Sequence, residues 1–217
     1  MTMADRVAAA VALDEAAGYP DVAAAIGSDT APVVRALLLA GLSCFADRGY
    51  VATTTRDIAT QAGLSPAGMY AHFSSKAELL ACVVQLSNSA VIDRLRAVDD
   101  HSASGRDRLR TIVATLTASL AVNHAAGRVA NYEYRHLPEQ LRDTIDQQRI
   151  AIRDVVVNAM LAGMRDGTLH VADPAVTSRA VLSMCIDVCR WIDDEIVDPH
   201  ALGTTYAGLA LDLCATR

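Results

Sequence analysis

The stretch Thr53-Thr54-Thr55-Arg56-Asp57-Ile58-Ala59-Thr60-Gln61-Ala62-Gly63-Leu64-Ser65-Pro66-Ala67-Gly68-Met69-Tyr70 gathers residue types suited to gripping a polyanion and reading its edges. The Arg56 guanidinium, the Tyr70 hydroxyl and the His72 imidazole can hydrogen-bond phosphate oxygens. Helix starts expected at Thr55 and Lys76 add unpaired N–H groups and a dipole that favours anions. Ala67 and Gly68, small residues at the start of a short helix, let its backbone sit deep in a major groove, where Tyr70 and His72 reach outward. The expected contact set is Thr53, Thr55, Arg56, Ser65, Pro66, Ala67, Gly68, Tyr70, His72 and Lys76, and the expected partner is double-stranded DNA.

Helices must hold these residues, and the sequence marks where they begin and end. Pro32 opens a helix that closes at Gly49, with Val33, Leu37, Ala40, Leu42, Cys44 and Phe45 as its apolar stripe. A short helix over residues 56–62 is capped by Thr55 or a neighbouring threonine and ends at Gly63, where a left-handed residue is needed. Ser65 caps a third, with Pro66 in its first turn, running to about Phe73. Ala59 is small where two helices approach, and Ile58, Leu64 and Met69 fix their crossing. Two short helices joined by a glycine turn make a helix-turn-helix. A longer helix follows from Lys76 to about Val98.

Beyond the polar break at Asp99–Gly105 the character changes to longer amphipathic segments, at about 106–124, 127–136, 138–166, 174–194 and 200–214. Strand signals are nearly absent, so the fold class is all-α. The expected division is an Ala-rich extension over 1–30, with one helix from Ala4 to Ala17 in it, a DNA-binding module over 31–80, and a ligand-binding and dimerisation domain over 81–217.

A second group of residues suits a small, largely apolar ligand. Tyr132, Tyr134 and Arg135 are expected on a short helix after Gly127, where aromatic walls and a few polar groups could frame a pocket. Met160, Met164, Met184, Asp187 and Trp191 complete the candidate lining. The methionines serve equally as ordinary bundle core, and Asp187 serves equally in a pair with Arg190 or Arg179. His124 and His136 could bind metal, but as lone histidines twelve positions apart they suit a core or surface role better, and no metal or other cofactor is expected.

Composition bounds the rest. The 217 residues are 52% apolar, enough for a real core, and the net charge of −6 means that nucleic-acid contact must come from a local surface. Arg35, Arg48, Arg56 and Lys76 against Asp47, Asp57 and Glu78 leave the module barely positive, so two copies and backbone N–H groups must supply much of the grip. Five scattered cysteines and no signal or spanning segment fit a reducing cytoplasm and no membrane partner. Nucleophile elbows, Walker loops, HExxH and dinucleotide fingerprints are missing, which speaks against an enzyme. Cys185 and Cys189, four apart, leave a redox-sensing DNA-binding protein as an alternative, and control by a protein partner as another.

The tracts Thr53–Ala59, Gly63–Ser65 and Met69-Tyr70-Ala71-His72-Phe73-Ser74-Ser75-Lys76-Ala77-Glu78-Leu79-Leu80 resemble the TetR family signature over about residues 32–82. That resemblance implies a three-helix DNA-binding domain, a connecting fourth helix, a divergent ligand domain, and dimerisation through the last two long helices. The run Arg128–Pro138 and Cys189-Arg190-Trp191 are similar to TetR regulators of lipid, steroid and acyl-CoA catabolism, which implies an acyl or CoA-thioester effector with Arg128, Arg135 or Arg142 available to its anionic part. From the residues, Val181, Leu182 and Cys185 on one helix and Leu202, Tyr206, Ala207, Leu209, Ala210 and Leu213 on the next form the expected dimer face, with Gly203 and Gly208 permitting close approach. The function expected is that of a homodimeric repressor on a roughly palindromic operator, released by a small ligand.

Overall fold

A computed structural model describes residues 19–27, 29–192 and 198–215. Among them there is no strand. The helices are α1 (Pro20–Ala25), α2 (Pro32–Ala52), α3 (Thr55–Gln61), α4 (Pro66–Tyr70), α5 (Lys76–Val98), α6 (Gly105–Val122), α7 (His124–Arg128), α8 (Asp143–Arg165), α9 (Pro174–Trp191) and α10 (Pro199–Leu213). The expected helix from Ala4 to Ala17 and the tail of the expected 174–194 segment lie outside the described residues.

The chain divides into two compact units. Among the described residues, the first holds those up to 90 together with 123–146, and the second holds 91–122 with those from 147 on. In the first unit, Leu37, Phe45, Ile58, Met69, Leu79, Leu80 and Val84 form one core with Ala125, Val129, Ala130, Leu137 and Ile145. The 123–146 stretch is thus part of the module that carries the helix-turn-helix. Tyr19, Val22, Ala23 and Ile26 of α1 bury into the same core. Arg35 donates to the Ala23 carbonyl at 2.8 Å, and Asn123 and Asp21 exchange bonds at 2.9 and 2.6 Å.

In the second unit, Leu109, Ile112, Leu116, Val156, Met160, Val181, Cys185 and Ala210 pack together. Two glycines let its helices touch backbone to backbone. A Cβ on Gly105 would stand 1.9 Å from the Gly163 nitrogen, and one on Gly203 would stand 2.5 Å from the Ala114 carbonyl oxygen. Gly203 is therefore spent inside its own subunit, as are Val181, Cys185, Ala207 and Ala210, which corrects their assignment to a dimer face. The large apolar side chains that this helix pair leaves exposed are Val176 and Trp191 on α9 and Leu209 and Leu213 on α10, with open space around Gly208.

The expected single helix over 127–136 is replaced by a tighter sequence of turns. α7 passes into a π-turn over Val129–Glu133 and then into 3-10 turns over Tyr134–His136 and Glu139–Leu141. The cause is local: the Asn131 side-chain amide donates to the Gly127 carbonyl at 2.9 Å, competing for a helical acceptor, and Pro138 bars a continuous helix.

Candidate nucleic-acid interface and effector segment

The helix-turn-helix is built by caps. Thr54, not Thr55, starts α3: its hydroxyl accepts from the Asp57 N–H at 3.1 Å, while the Asp57 carboxylate accepts from the Thr54 N–H at 2.9 Å. This capping box holds the Asp57 carboxyl below the usual carboxylate range, chiefly through its bonds from Thr54, with Arg48 at 3.6 Å adding to the effect. At the other end the Leu64 N–H reaches the Ala59 carbonyl at 2.8 Å and the Gly63 N–H reaches Thr60 at 3.1 Å. This is a Schellman closure that requires the positive φ of Gly63. Ser65 then caps α4 by accepting from Gly68 at 3.3 Å. Beneath the turn Ile58, Ala59, Ala62 and Met69 are fully buried.

The surface left outside carries most of the expected DNA contacts. Arg56, Ser65, Pro66, Ala67, Tyr70 and His72 are exposed, and Thr55 and Gly68 are partly so. The Thr55 and Tyr70 hydroxyls lie 3.2 Å apart, bringing the start of α3 and the end of α4 to one point. Thr53 is a correction. It is 1% exposed, and its hydroxyl is directed to the Cys44 and Gly49 carbonyls at 2.9 and 2.8 Å, so it is a structural residue with nothing left for DNA.

Lys76 is the second departure from expectation. It opens α5, but its ammonium is turned inward onto the Tyr50 and Thr53 carbonyls, both at 2.6 Å, and over the Tyr50 ring at 4.1 Å. Partial burial pulls its pKa down. Of the other module cations, Arg48 pairs with Asp57 and Arg35 is bound to Ala23. Among the described residues of 31–80, Arg56 is the cation without such a partner. Ser75 and Glu78 complete the start of α5: Glu78 accepts from the Ser74 N–H and hydroxyl at 2.7 and 2.6 Å, which holds its carboxyl low.

The effector candidates divide between the units. Tyr132, Tyr134 and Arg135 belong to the first, on the π and 3-10 turns. Tyr134 donates to Asp146, and Arg142 staples the same turns by donating to the Leu137 and Arg135 carbonyls at 2.8 and 3.1 Å. Met160, Met164, Met184, Asp187 and Trp191 belong to the second. Met160 is wholly within the packed core, Met184 is half-buried against it, and Met164 and Trp191 are exposed. Asp187 is exposed and paired with Arg190 at 3.4 Å, the alternative weighed above to a ligand contact.

The cysteine pair is chemically quiet. Burial pushes the Cys185 thiol up to about 11, and Thr117 and the Leu120 carbonyl sit against Cys185 and Cys189 at 3.4 and 3.7 Å. A redox sensor needs an accessible thiol with a lowered pKa, whereas Cys185 and Cys189 are both fully buried and burial raises the pKa of Cys185. Among the described residues no cluster of three or more metal-ligating side chains stands together, and no helix is long and apolar enough to cross a membrane.

Sequence reasoning left the cap between Thr55 and a neighbouring threonine, and Thr54, three positions before Asp57, is the one that forms the box. It missed Tyr50 and Glu133, which meet across 83 positions and carried no signal.

These elements define an all-helical protein with an N-terminal helix-turn-helix. Family models agree: residues 37–83 match bacterial regulatory proteins of the tetR family, and residues 102–214 match the tetracyclin repressor-like C-terminal domain. The chain belongs to the TetR family, a family of transcriptional regulators rather than enzymes. A bacterial regulatory protein of that family from Rhodococcus RHA1 has the same fold, with a TM-score of 0.83 and 30% identity over 87% of this chain and 100% of that chain. The transcriptional repressor KstR2 of Rhodococcus jostii is 28% identical over 62% of this chain and 66% of its own length, so the match spans just under two thirds of that relative. AibR, solved with isovaleryl coenzyme A and operator DNA, shares the fold at a TM-score of 0.76 and 22% identity over 82% of this chain and 98% of that chain.

Proposed function

We propose that this protein is a ligand-responsive transcriptional repressor that binds a roughly palindromic operator as a homodimer and is released by a small, largely apolar effector, an acyl-coenzyme A or related lipid thioester. The observation that carries the DNA-binding half is the exposed surface Ser65-Pro66-Ala67 with Tyr70 tied to Thr55 at 3.2 Å, presented above a fully buried turn. A short helix with small leading residues and hydroxyls at both ends suits groove entry with phosphate positioning. Thr55, Arg56, Ser65, Pro66, Ala67, Gly68, Tyr70 and His72 are the proposed contacts. Lys76 acts by holding the module's shape.

Dimerisation is supported by the apolar surface that α9 and α10 leave unburied. Val176 is 63% exposed, Trp191 47%, Leu209 48% and Leu213 53%, four large apolar side chains on one helix pair. The effector class draws on the ligand of AibR and on the repressor KstR2, joined with the aromatic and arginine content of the Tyr132–Arg135 segment. The test is a random-sequence selection followed by footprinting with the purified chain. A two-fold symmetric protected site that Tyr70→Ala loses, and that acyl-coenzyme A releases, supports the reading. No sequence-selective protection refutes it.

A further inference from the structure

We infer that Glu133 and His136 are positioning residues that transmit the state of the Val129–His136 segment to the DNA-contacting surface through Tyr50 and Lys76. The inference rests on the repressor reading above. It starts at a break in α2. Gly49 has φ 76° and ψ 164°, which interrupts the helical ladder, and the Tyr50 N–H is taken instead by the Glu133 carboxylate at 2.8 Å. The Tyr50 ring stacks on His136, with centroids 5.5 Å apart and planes 14° from parallel, and His136 Nε2 lies 3.6 Å from Glu133. Two side chains of one short segment therefore hold the backbone and the ring of one residue.

From Tyr50 the contacts run on without a gap. Lys76 binds the Tyr50 and Thr53 carbonyls and covers the ring, which fixes the first turn of α5 against the end of α2. Thr53 is followed by the Thr54 cap of α3, and Thr55 meets Tyr70. Moving Glu133 thus shifts the peptide that sets where α3 begins.

The segment that carries Glu133 is suited to move. A π-turn followed by a 3-10 turn places two hydrogen-bond registers in eight residues, and a change of register in such a turn rotates its side chains while keeping the chain hydrogen-bonded. Tyr132, Tyr134 and Arg135, the proposed effector contacts, are interleaved with Glu133 and His136. A ligand that reorients the first set reorients the second.

The experiment is a double-mutant cycle on the full chain. Operator affinity is measured with a duplex selected by the wild type, for Glu133→Ala, Lys76→Met and the pair, with Glu133→Gln as the conservative variant. Each single change is expected to weaken binding by about tenfold, and the pair by little more than either alone, because both break one path. Glu133→Gln keeps an acceptor for the Tyr50 N–H and should stay within about threefold of wild type. Additive losses in the cycle, or wild-type affinity in Glu133→Ala, overturn the inference.

Amide exchange of free protein gives a readout that needs no DNA. Protection at Ile58–Gln61 of α3 should fall in Glu133→Ala and be kept in Glu133→Gln. Unchanged α3 protection in Glu133→Ala overturns the inference. If the wild type selects no duplex, the repressor reading fails by itself, and the exchange result still decides whether Glu133 controls α3.

Discussion

Salt dependence separates the two cations that sequence alone would treat alike. Arg56 is exposed on α3 without a partner, whereas Lys76 spends its ammonium on two carbonyls 2.6 Å away. Each phosphate neutralised by a protein cation contributes about −0.9 to the slope of log K against log salt. A homodimer presents Arg56 twice, so Arg56→Ala should make that slope shallower by about 2, and the affinity lost between 50 and 200 mM salt should shrink by about tenfold. Lys76→Met should leave the slope nearly unchanged while lowering affinity at every salt concentration. It should also cost about 1–3 kcal/mol of folding stability, since the Tyr50 and Thr53 carbonyls lose a charged donor. The assay is fluorescence anisotropy on one labelled operator at four or more salt concentrations, with urea unfolding of both variants. If Lys76→Met flattens the slope as much as Arg56→Ala does, Lys76 is a phosphate contact and the inward clamp does not describe the protein in solution.

Three further outcomes follow from the same geometry. Gly105→Ala sets a methyl group against the Gly163 backbone and should destabilise the chain by about 3 kcal/mol or more in urea unfolding. A wild-type-like midpoint for Gly105→Ala would mean that α6 and α8 do not approach as closely as described. Thr54→Ala should cost about 1 kcal/mol at neutral pH. Asp57 and Glu78 are harder to protonate folded than unfolded, so their caps stabilise fully above the ordinary carboxylate pKa and lose that contribution as pH falls through the lower folded-state values. The Thr54→Ala deficit should therefore shrink in thermal melts towards pH 3, and a deficit independent of pH would count against the box. Cys185, with its thiol near 11, should resist alkylation at pH 8 in native protein and react only after unfolding, as mapped by mass spectrometry.

The parts of this fold legible in sequence were those set by local chemistry. Pro32, Pro66, Pro174 and Pro199 stand at or next to the start of helices, Gly63 closes α3 by its backbone conformation, and Ser65 caps α4, all within a few residues of their partners. Long-range contacts were not legible. Gly203 reads as a small residue on an exposed stripe until Ala114 is found against it, and Thr53 reads as one of three equivalent threonines until the Cys44 and Gly49 carbonyls claim its hydroxyl. The 127–136 segment has helical composition, and the Asn131 amide on the Gly127 carbonyl and Pro138 together accompany its break into π and 3-10 turns. The effector residues were the least legible, because tyrosine, arginine and methionine do the same work in a core, a turn staple or a pocket.

The sharing of one core by residues before 90 and residues 123–146 limits how this regulator can be recombined. Val129, Ala130, Leu137 and Ile145 pack with Leu37, Phe45 and Leu79, so a reader excised at residue 80 would leave those side chains facing water. Grafting its operator preference onto another sensor would need the 123–146 insert carried along as a second piece. Exchanging only the exposed residues from Ser65 to His72, whose buried supports stay in place, is the transplant this architecture tolerates.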